Sequence, residues 1–345
     1  MSSSLEARII GVSPAIARLR RDIAQIAPAS LSVLVEGETG SGKELVAAAL
    51  HQLSGRRGAF VPVNAASISE GLFESHLFGH VRGAFTGAIA DTRGFVQEAK
   101  SGTLFLDEIS STPLSAQAKL LRVLESGQVR PVGAQSDRAT DFRLVAAANV
   151  SLHSEVESLR FRADLLYRVC GDLLKVPPLR ERSEDIGMLA KHFAQLRCRE
   201  IKRDVTLSCG AIRVLEAFAW PGNVRQLRAV IDRAVIGAEA DDVRAADISE
   251  ILDRLSPRTG TMARMSERAA QLFALLQQHA WDTVRVAAEL GITRKTVYSR
   301  IQKYDLRIPA KYTRRSDVSS LLPVADGARS VTNASSVAGR SRLAS

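Results

Sequence analysis

The sequence predicts an α/β fold, a parallel sheet covered by helices, followed by a helical lid and a small all-α helix-turn-helix module. Three observations carry this. From about residue 8 to residue 180, short apolar runs alternate with helical periods: LSVLVEG then KELVAAALHQL, TLFLDE then AKLLRVLE, then FRLVAAAN. Strands joined by crossover helices have this pattern. After the Pro177-Pro178 pair only helical periods remain, broken at Trp220-Pro221-Gly222-Asn223, as far as about residue 255. Residues 283–303, TVRVAAELGITRKTVYSRIQK, then read as two short helices about a glycine turn.

The expected parts are an α/β unit over 1–180, a helical lid over 181–255 and a short linker over 256–264. A small helical module follows over 265–309, and a tail over 310–345 is rich in Ser, Ala and Arg. The tail holds too little apolar material to fold alone, and disorder is expected there. Ser266 is placed to cap a helix whose Ala269, Leu272, Phe273 and Leu276 fall at i, i+3, i+4 and i+7. No repeat of 20 to 50 residues is expected.

At 345 residues and 46% hydrophobic, the chain has the composition of an ordinary soluble protein. No run approaches the about 18 apolar residues of a membrane span, and MSSSLEARIIGVSP lacks the marks of a secretory signal. The expectation is a cytoplasmic protein with no membrane partner. Cys170, Cys198 and Cys209 match neither a disulfide framework nor a zinc site, and all three are expected to be buried or half-buried. The histidines show no metal-ligand spacing. The net charge of +10 invites a polyanionic partner.

Gly37, Glu38, Thr39, Gly40, Ser41, Gly42, Lys43 and Glu44 form a phosphate-binding loop, directly after an expected strand at Leu31 to Val35 and directly before a helix. Glycines let backbone N–H groups converge on phosphates, Lys43 adds a point charge, and the helix N-terminus favours an anion. Glu44 stands where Ser or Thr is usual. The strand Thr103 to Leu106 runs out into Asp107 and Glu108. Beside a phosphate loop these carboxylates suit an ATP site: Asp107 to hold Mg²⁺ through water, Glu108 to polarise the attacking water. Asn64, at the end of FVPVN, is a candidate to hold Glu108 by a hydrogen bond, and Asn149 a candidate to sense the γ-phosphate; for each, a plain turn residue is the alternative. Arg162 and Arg168, six residues apart, would complete hydrolysis if another subunit presents them; pairing of one with Asp164 is the plain alternative.

Gly83-Ala84-Phe85-Thr86-Gly87-Ala88 sets an aromatic and a hydroxyl between glycines, too polar for a core strand and suited to an exposed, movable loop. In the terminal module Ala287, Gly291 and Val297 take the small, turn and apolar positions of a helix-turn-helix, and Thr293 caps its second helix. That helix offers Thr293, Arg294, Lys295, Thr296, Ser299, Arg300 and Lys303 to phosphates and base edges.

Taken together, ESHLFGHVRGAFTGA at 74–88, GETGSGKE, SGTLFLDE, VPPLRER at 176–182 and WPGNVRQL at 220–227 resemble the AAA+ bacterial enhancer-binding proteins. These activate the sigma-54 form of RNA polymerase. The resemblance spans roughly residues 8 to 305 and implies a AAA+ P-loop ATPase with ATP and Mg²⁺, in a ring oligomer that is a hexamer in the family. It further implies that Arg225 reaches the nucleotide from the lid and that Arg162 and Arg168 act on a neighbour. The 83–88 loop would contact sigma-54, and the terminal Fis-like module enhancer DNA. Ala148, Ala163, Gln226, His76 and Val81 depart from the commoner pattern and leave ring contacts and coupling open. With the ATPase starting near Met1, the chain looks like a single-module activator, to be controlled by a separate regulatory protein, by its amount or by assembly. The rivals are an ATP-gated DNA-binding repressor, which would not hold sigma-54, and an unfoldase or helicase, against which the hexapeptide argues.

Overall fold

In this computed structural model the described residues are 5, 6, 8–238, 240–255, 269, 271–276, 278, 279 and 281–304, with the side chains of 302 and 303 excepted. The expected linker, the Ser266 cap and the tail lie outside them. The chain divides into two compact units, Met1–Leu255 and Ser256–Ser345.

The first unit begins with α1 (Pro14–Ile26), β1 (Val33–Glu36), α2 (Lys43–Leu53) and β2 (Phe60–Asn64). Next come α3 (Glu70–Phe78) and a two-residue ribbon of β3 (Gly79–His80) with β4 (Thr92–Arg93), then α4 (Phe95–Glu98), β5 (Thr103–Asp107) and α5 (Leu114–Ser126). A second ribbon, β6 (Gln128–Val129) with β7 (Arg138–Ala139), leads to β8 (Arg143–Ala148), α6 (Leu152–Glu157), α7 (Ala163–Val169) and β9 (Asp172–Lys175).

Five strands pair in the order β2-β5-β8-β1-β9, all parallel. Their alternation divides the core. Leu34, Leu104, Leu106, Leu144 and Ala146 face one helical layer with Phe73, Leu77 and Leu120. Val33, Val35, Phe105, Val145 and Ala147 face the other, with Ile16, Leu19 and Leu50. Because every strand runs the same way, Glu36, Asn64, Asp107 and Ala148 end along one edge of the sheet, where ligands bind in open parallel sheets.

β1 starts two residues later than expected, and the Leu31 carbonyl ahead of it is taken by Arg143. That arginine is fully buried and donates to the carbonyls of Leu31 (3.0 Å), Ala27 (2.6 Å) and Ile26 (3.1 Å). It supplies donors and positive charge to the C-terminus of α1.

A 3₁₀ turn, Leu179–Asp185, leads into four lid helices: α8 (Ile186–Ile201), α9 (Cys209–Ala217), α10 (Asn223–Gly237) and α11 (Ala245–Leu255). The lid is not purely helical: β10 (Thr206–Leu207) and β11 (Asp242–Val243) form a short parallel pair that joins the loops before α9 and α11. Two residues each are too few to leave a period in the sequence. Its core surrounds Trp220, which is fully buried, stands edge-on to Phe218 and donates its indole N–H to the Leu215 carbonyl at 2.8 Å. Trp220→Ala is expected to destabilise the lid by about 3–5 kcal/mol, read as a lower urea midpoint for loss of lid structure.

Cys209 corrects the cysteine expectation, being exposed at the start of α9, while Cys198 is buried and Cys170 half-buried.

The second unit packs Leu272, Leu276, Val286, Ala287, Val297 and Ile301 about α12 (Thr283–Glu289) and α13 (Arg294–Lys303). Asp282 caps α12 by accepting from the amides of Val284 and Arg285. Gly291 takes φ +62° at the turn, and Thr293 accepts from the Thr296 amide at 3.2 Å.

Candidate functional site

The phosphate loop leaves β1 at the sheet edge. Gly40 (φ +77°) and Gly42 (φ +110°) hold it in left-handed conformations that side chains resist. A Cβ on Gly40 would lie 2.5 Å from the Gly222 carbonyl, so the lid presses directly on the loop. Gly42 precedes α2 without a side-chain cap, which leaves the first helical amides to a ligand.

Lys43 is buried and donates through Nζ to the Gly37 (2.8 Å) and Glu38 (3.2 Å) carbonyls. Burial pushes its pKa down; the nearby Asp107 and Glu108 carboxylates oppose this, and Arg225 adds to it. Among the described residues Ser41 Oγ, buried inside the loop, has no hydrogen-bond partner. An unpartnered donor, an ammonium turned inward and two facing carboxylates fit a phosphate chain and a divalent cation in donor set and charge.

Asn64 and Asp107 are register partners on β2 and β5. The expected Asn64–Glu108 hydrogen bond is not formed in this structure. Asn64 Oδ1 instead accepts from the Ala66 amide at 2.9 Å, because Asn64 caps the turn that follows β2. Glu108 sits at φ +54°, a strained position for a residue with a side chain and a feature the sequence does not advertise. Asn149 is exposed just past β8 and lines a cavity of about 610 Å³ with Gly37, Glu38 and Arg180.

Glu44 is exposed on the first turn of α2. Arg225, near the start of α10, donates its amide to the Gly40 carbonyl at 3.3 Å. The lid thus brings it to the loop, together with Asn223, which the sequence reading missed.

Arg162 stands just before α7, and its guanidinium pairs with Asp164 of its own chain (3.0 and 2.6 Å). Its amide is held by Gln117 Oε1 at 2.9 Å, while the fully buried Gln117 donates to the Thr112 and Arg160 carbonyls. Arg168 donates to the Leu124 carbonyl at 2.6 Å. Neither arginine meets this chain's phosphate loop.

Residues Gly83–Ala88 form a loop closed by Gly83 N–H to the Ala88 carbonyl (2.9 Å) and Ala88 N–H to the Phe85 carbonyl (3.0 Å). Gly83 and Gly87 have positive φ with open space around them. Ala88 is buried at the base, Ala84 half-buried, and Thr86 exposed. Phe85 is 39% exposed and rests edge-on against His80, which hydrogen-bonds Ser75 at 2.8 Å. The base is fixed by the β3–β4 ribbon and by Val81 N–H to the Val132 carbonyl.

In α13, Lys295 and Ser299 are exposed, and Thr296 is half-buried. Arg294 lies over the Tyr298 ring and donates to Thr283 Oγ1 at 3.1 Å. Arg300 departs from the expected exposed face: it is half-buried and lines a groove with Gln271 and Tyr304, because its helical position turns it toward the module's own core. The Lys303 side chain lies outside the described residues.

A phosphate loop at the edge of a five-stranded parallel sheet, closed by a helical lid and joined in sequence to a helix-turn-helix, defines a AAA+ nucleotide-binding regulator. Comparison with known proteins refines the class. Residues 9–174 match the sigma-54 interaction domain, 180–264 the AAA+ ATPase lid domain, and 270–304 the bacterial regulatory protein, Fis family. The C4-dicarboxylate transport transcriptional regulatory protein DctD of Rhizobium meliloti (strain 1021) is 41% identical over 315 residues, covering 89% of this chain and 66% of DctD. The regulatory protein AtoC of Escherichia coli (strain K12) is 38% identical over 312 residues, covering 86% and 68%. A crystal structure of NtrX from Brucella abortus in complex with ATP is similar at 32% identity and TM-score 0.65, covering 88% of this chain and 71% of that one. The chain belongs to the sigma-54-dependent transcriptional activator family, with an AAA+ sigma-54 interaction domain and a Fis-type DNA-binding domain. It spans between about half and two-thirds of the length of the first curated relatives it matches. Among the described residues no helix is long and apolar enough to cross a membrane.

Proposed function

We propose that this chain hydrolyses ATP in a ring oligomer, a hexamer by family likeness, and uses the cycle to drive the Phe85 loop against sigma-54 so that the polymerase opens promoter DNA. One observation carries the reading. The exposed 83–88 loop is an excursion of the chain between Asn64 and Asp107, two register partners that end beside the phosphate loop. In this reading a shift at the Asn64 end passes through the 3₁₀ turn Ala65–Ser67 and α3 to the β3–β4 ribbon that carries the loop.

In this reading Gly37 to Glu44 hold the phosphates, with Lys43 as the charge among them and Arg225 approaching from the lid. Asp107 is the ligand for Mg²⁺, which when bound would neutralise phosphate charge. Glu108 polarises the attacking water, Asn64 and Asn149 respond to the nucleotide, and Arg162 and Arg168 come from a neighbouring protomer. Thr293, Arg294, Lys295, Thr296, Ser299 and Lys303 serve enhancer DNA, and of these Thr293, Arg294, Lys295 and Ser299 are exposed. Residues 1–180, 181–255 and 265–309 act as ATPase, lid and DNA-binding parts, with 256–264 a linker and 310–345 a tail. A cytoplasmic site of action completes the reading.

The test is in vitro transcription from a sigma-54-dependent promoter, run beside an ATP turnover assay. Thr86→Ala is expected to keep ATP turnover and reduce transcript to the level seen without activator. Undiminished transcription from Thr86→Ala, or from the wild-type chain without ATP, would overturn the proposal.

A further inference from the structure

The Glu38 carboxylate stands at the top of the phosphate loop, held from two sides. Arg180, from the turn between sheet and lid, donates to Oε2 at 2.9 Å and to Oε1 at 2.7 Å. Asn223, the first residue of α10, donates through Nδ2 to Glu38 Oε2 and to the Thr39 carbonyl, both at 3.1 Å. Its Oδ1 accepts from the Leu179 amide at 2.7 Å. Asn223 is fully buried at φ +50°, a conformation Asn tolerates better than most residues and one that costs free energy unless its contacts hold it. One carboxamide thus joins the phosphate loop, the sheet-to-lid turn and the helix that carries Arg225.

We propose that Glu38, Arg180 and Asn223 form a latch that holds the lid down on the phosphate loop and sets how fast nucleotide leaves. This rests on the nucleotide-site reading above. For the lid to lift, the bonds to Glu38 and Thr39 must break together, along with the bond from Arg225 N–H to the Gly40 carbonyl. Gly40 and Gly222 touch backbone to backbone, so the two surfaces part or stay shut as one. Arg180 has a second effect: it neutralises a carboxylate that would otherwise repel phosphate. Its hydrogen bonds, helped by Asn223, pull the Glu38 pKa down to about 2. The latch therefore keeps its charges at any pH at which activity would be assayed, and lid movement rather than protonation opens it. Asn223 is a positioning residue, acting through the loop.

The discriminating variant is Asn223→Asp, which keeps shape and the acceptor for the Leu179 amide but sets a carboxylate against Glu38. In the full chain, dissociation of a fluorescent N-methylanthraniloyl ADP, followed by stopped flow, is expected to quicken about tenfold. The steady-state change should fall on KM for ATP rather than on kcat. Adding Glu38→Gln should restore a hydrogen bond and bring release back to within about threefold of wild type. Arg180→Gln, at an exposed position, should also quicken release and covers the event that Asn223→Asp does not fold. A wild-type release rate in Asn223→Asp or in Arg180→Gln, or a double variant no slower than Asn223→Asp alone, would overturn the latch. Failure of the wild-type chain to bind the analogue would overturn the nucleotide site itself, and the latch with it.

Discussion

Arg162→Ala is expected to lower ATP turnover by about 10³–10⁵-fold while ATP binding stays within about threefold. In the single chain Arg162 is engaged with Asp164, and both side chains are nearly half exposed. Exposed pairs of this kind contribute about 0–1 kcal/mol. A guanidinium on a transferring phosphoryl group contributes roughly 4–7 kcal/mol to the transition state. Giving up the Asp164 pair therefore costs little beside what the guanidinium would contribute at the transition state. The decisive measurement mixes Arg162→Ala, whose own phosphate loop is intact, with Lys43→Ala, whose Arg162 is intact. If the arginine acts across an interface, turnover reappears in the mixture, at sites made of one good half from each chain. If neither variant gains by mixing, Arg162 does not act in trans. Arg168 is not a substitute, since it lies at the far end of α7 and binds the Leu124 carbonyl.

The seven residues Leu179–Asp185 tie the nucleotide region together. Besides the Arg180 contact, Arg182 is buried and donates to the Ser41 carbonyl at 2.9 Å. Asp185, fully buried, accepts from the Val12 amide (2.6 Å), the Ser13 amide (2.8 Å) and Ser13 Oγ (2.7 Å). A Cβ on Gly11 would lie within 2.9 Å of that carboxylate, so the N-terminal loop folds tightly around it. Arg20 secures the same loop by donating to the Ile9 and Gly11 carbonyls. Phosphate loop, N-terminal loop and lid are thus all fixed to one short turn, and nucleotide between them would load every attachment at once.

What the sequence makes legible is what local pattern encodes. Glycines, lysine and strand-helix context reveal the phosphate loop within eight residues, and apolar alternation reveals parallel strands. Which strand lies beside which is long-range, so nothing in TLFLDE announces that β5 sits between β2 and β8. Buried polar contacts are hidden for the same reason. Arg143 reads as an ordinary charge before FRLVAAAN's apolar core, yet it completes the end of a helix more than a hundred residues away. Asn223 reads as a turn residue, and its partners are on the phosphate loop. Asn64 shows the reverse: the sequence left a distant partner and a plain turn role both open, and in this structure its side chain satisfies an amide two residues on. Arg300 looked exposed because basic residues usually are; only the phase of α13 against Leu272 and Tyr304 turns it inward.

Lys43→Met separates binding from folding, because the charge it removes is unfavourable to the fold and favourable to the nucleotide. The ammonium is buried under the phosphate loop, and burial holds its pKa below the usual lysine value despite Asp107 and Glu108. A lysine that binds its proton less tightly folded than unfolded makes the protein more stable as pH rises through its folded pKa toward 10.5. At neutral pH its charge therefore costs stability. Methionine keeps most of the apolar stem and removes that cost, which offsets the loss of the Nζ bonds to the Gly37 and Glu38 carbonyls, so the melting temperature should stay close to that of the wild type. For the nucleotide the sign reverses. A charge pair about 4 Å apart at an effective dielectric of about 20 interacts by roughly 4 kcal/mol. Allowing for desolvation, ATP affinity should fall about 10²–10³-fold, measured by titration with the fluorescent analogue. Equal affinity would mean that Lys43 does not face the phosphates, and a fall in both affinity and melting temperature would mean that it serves the fold.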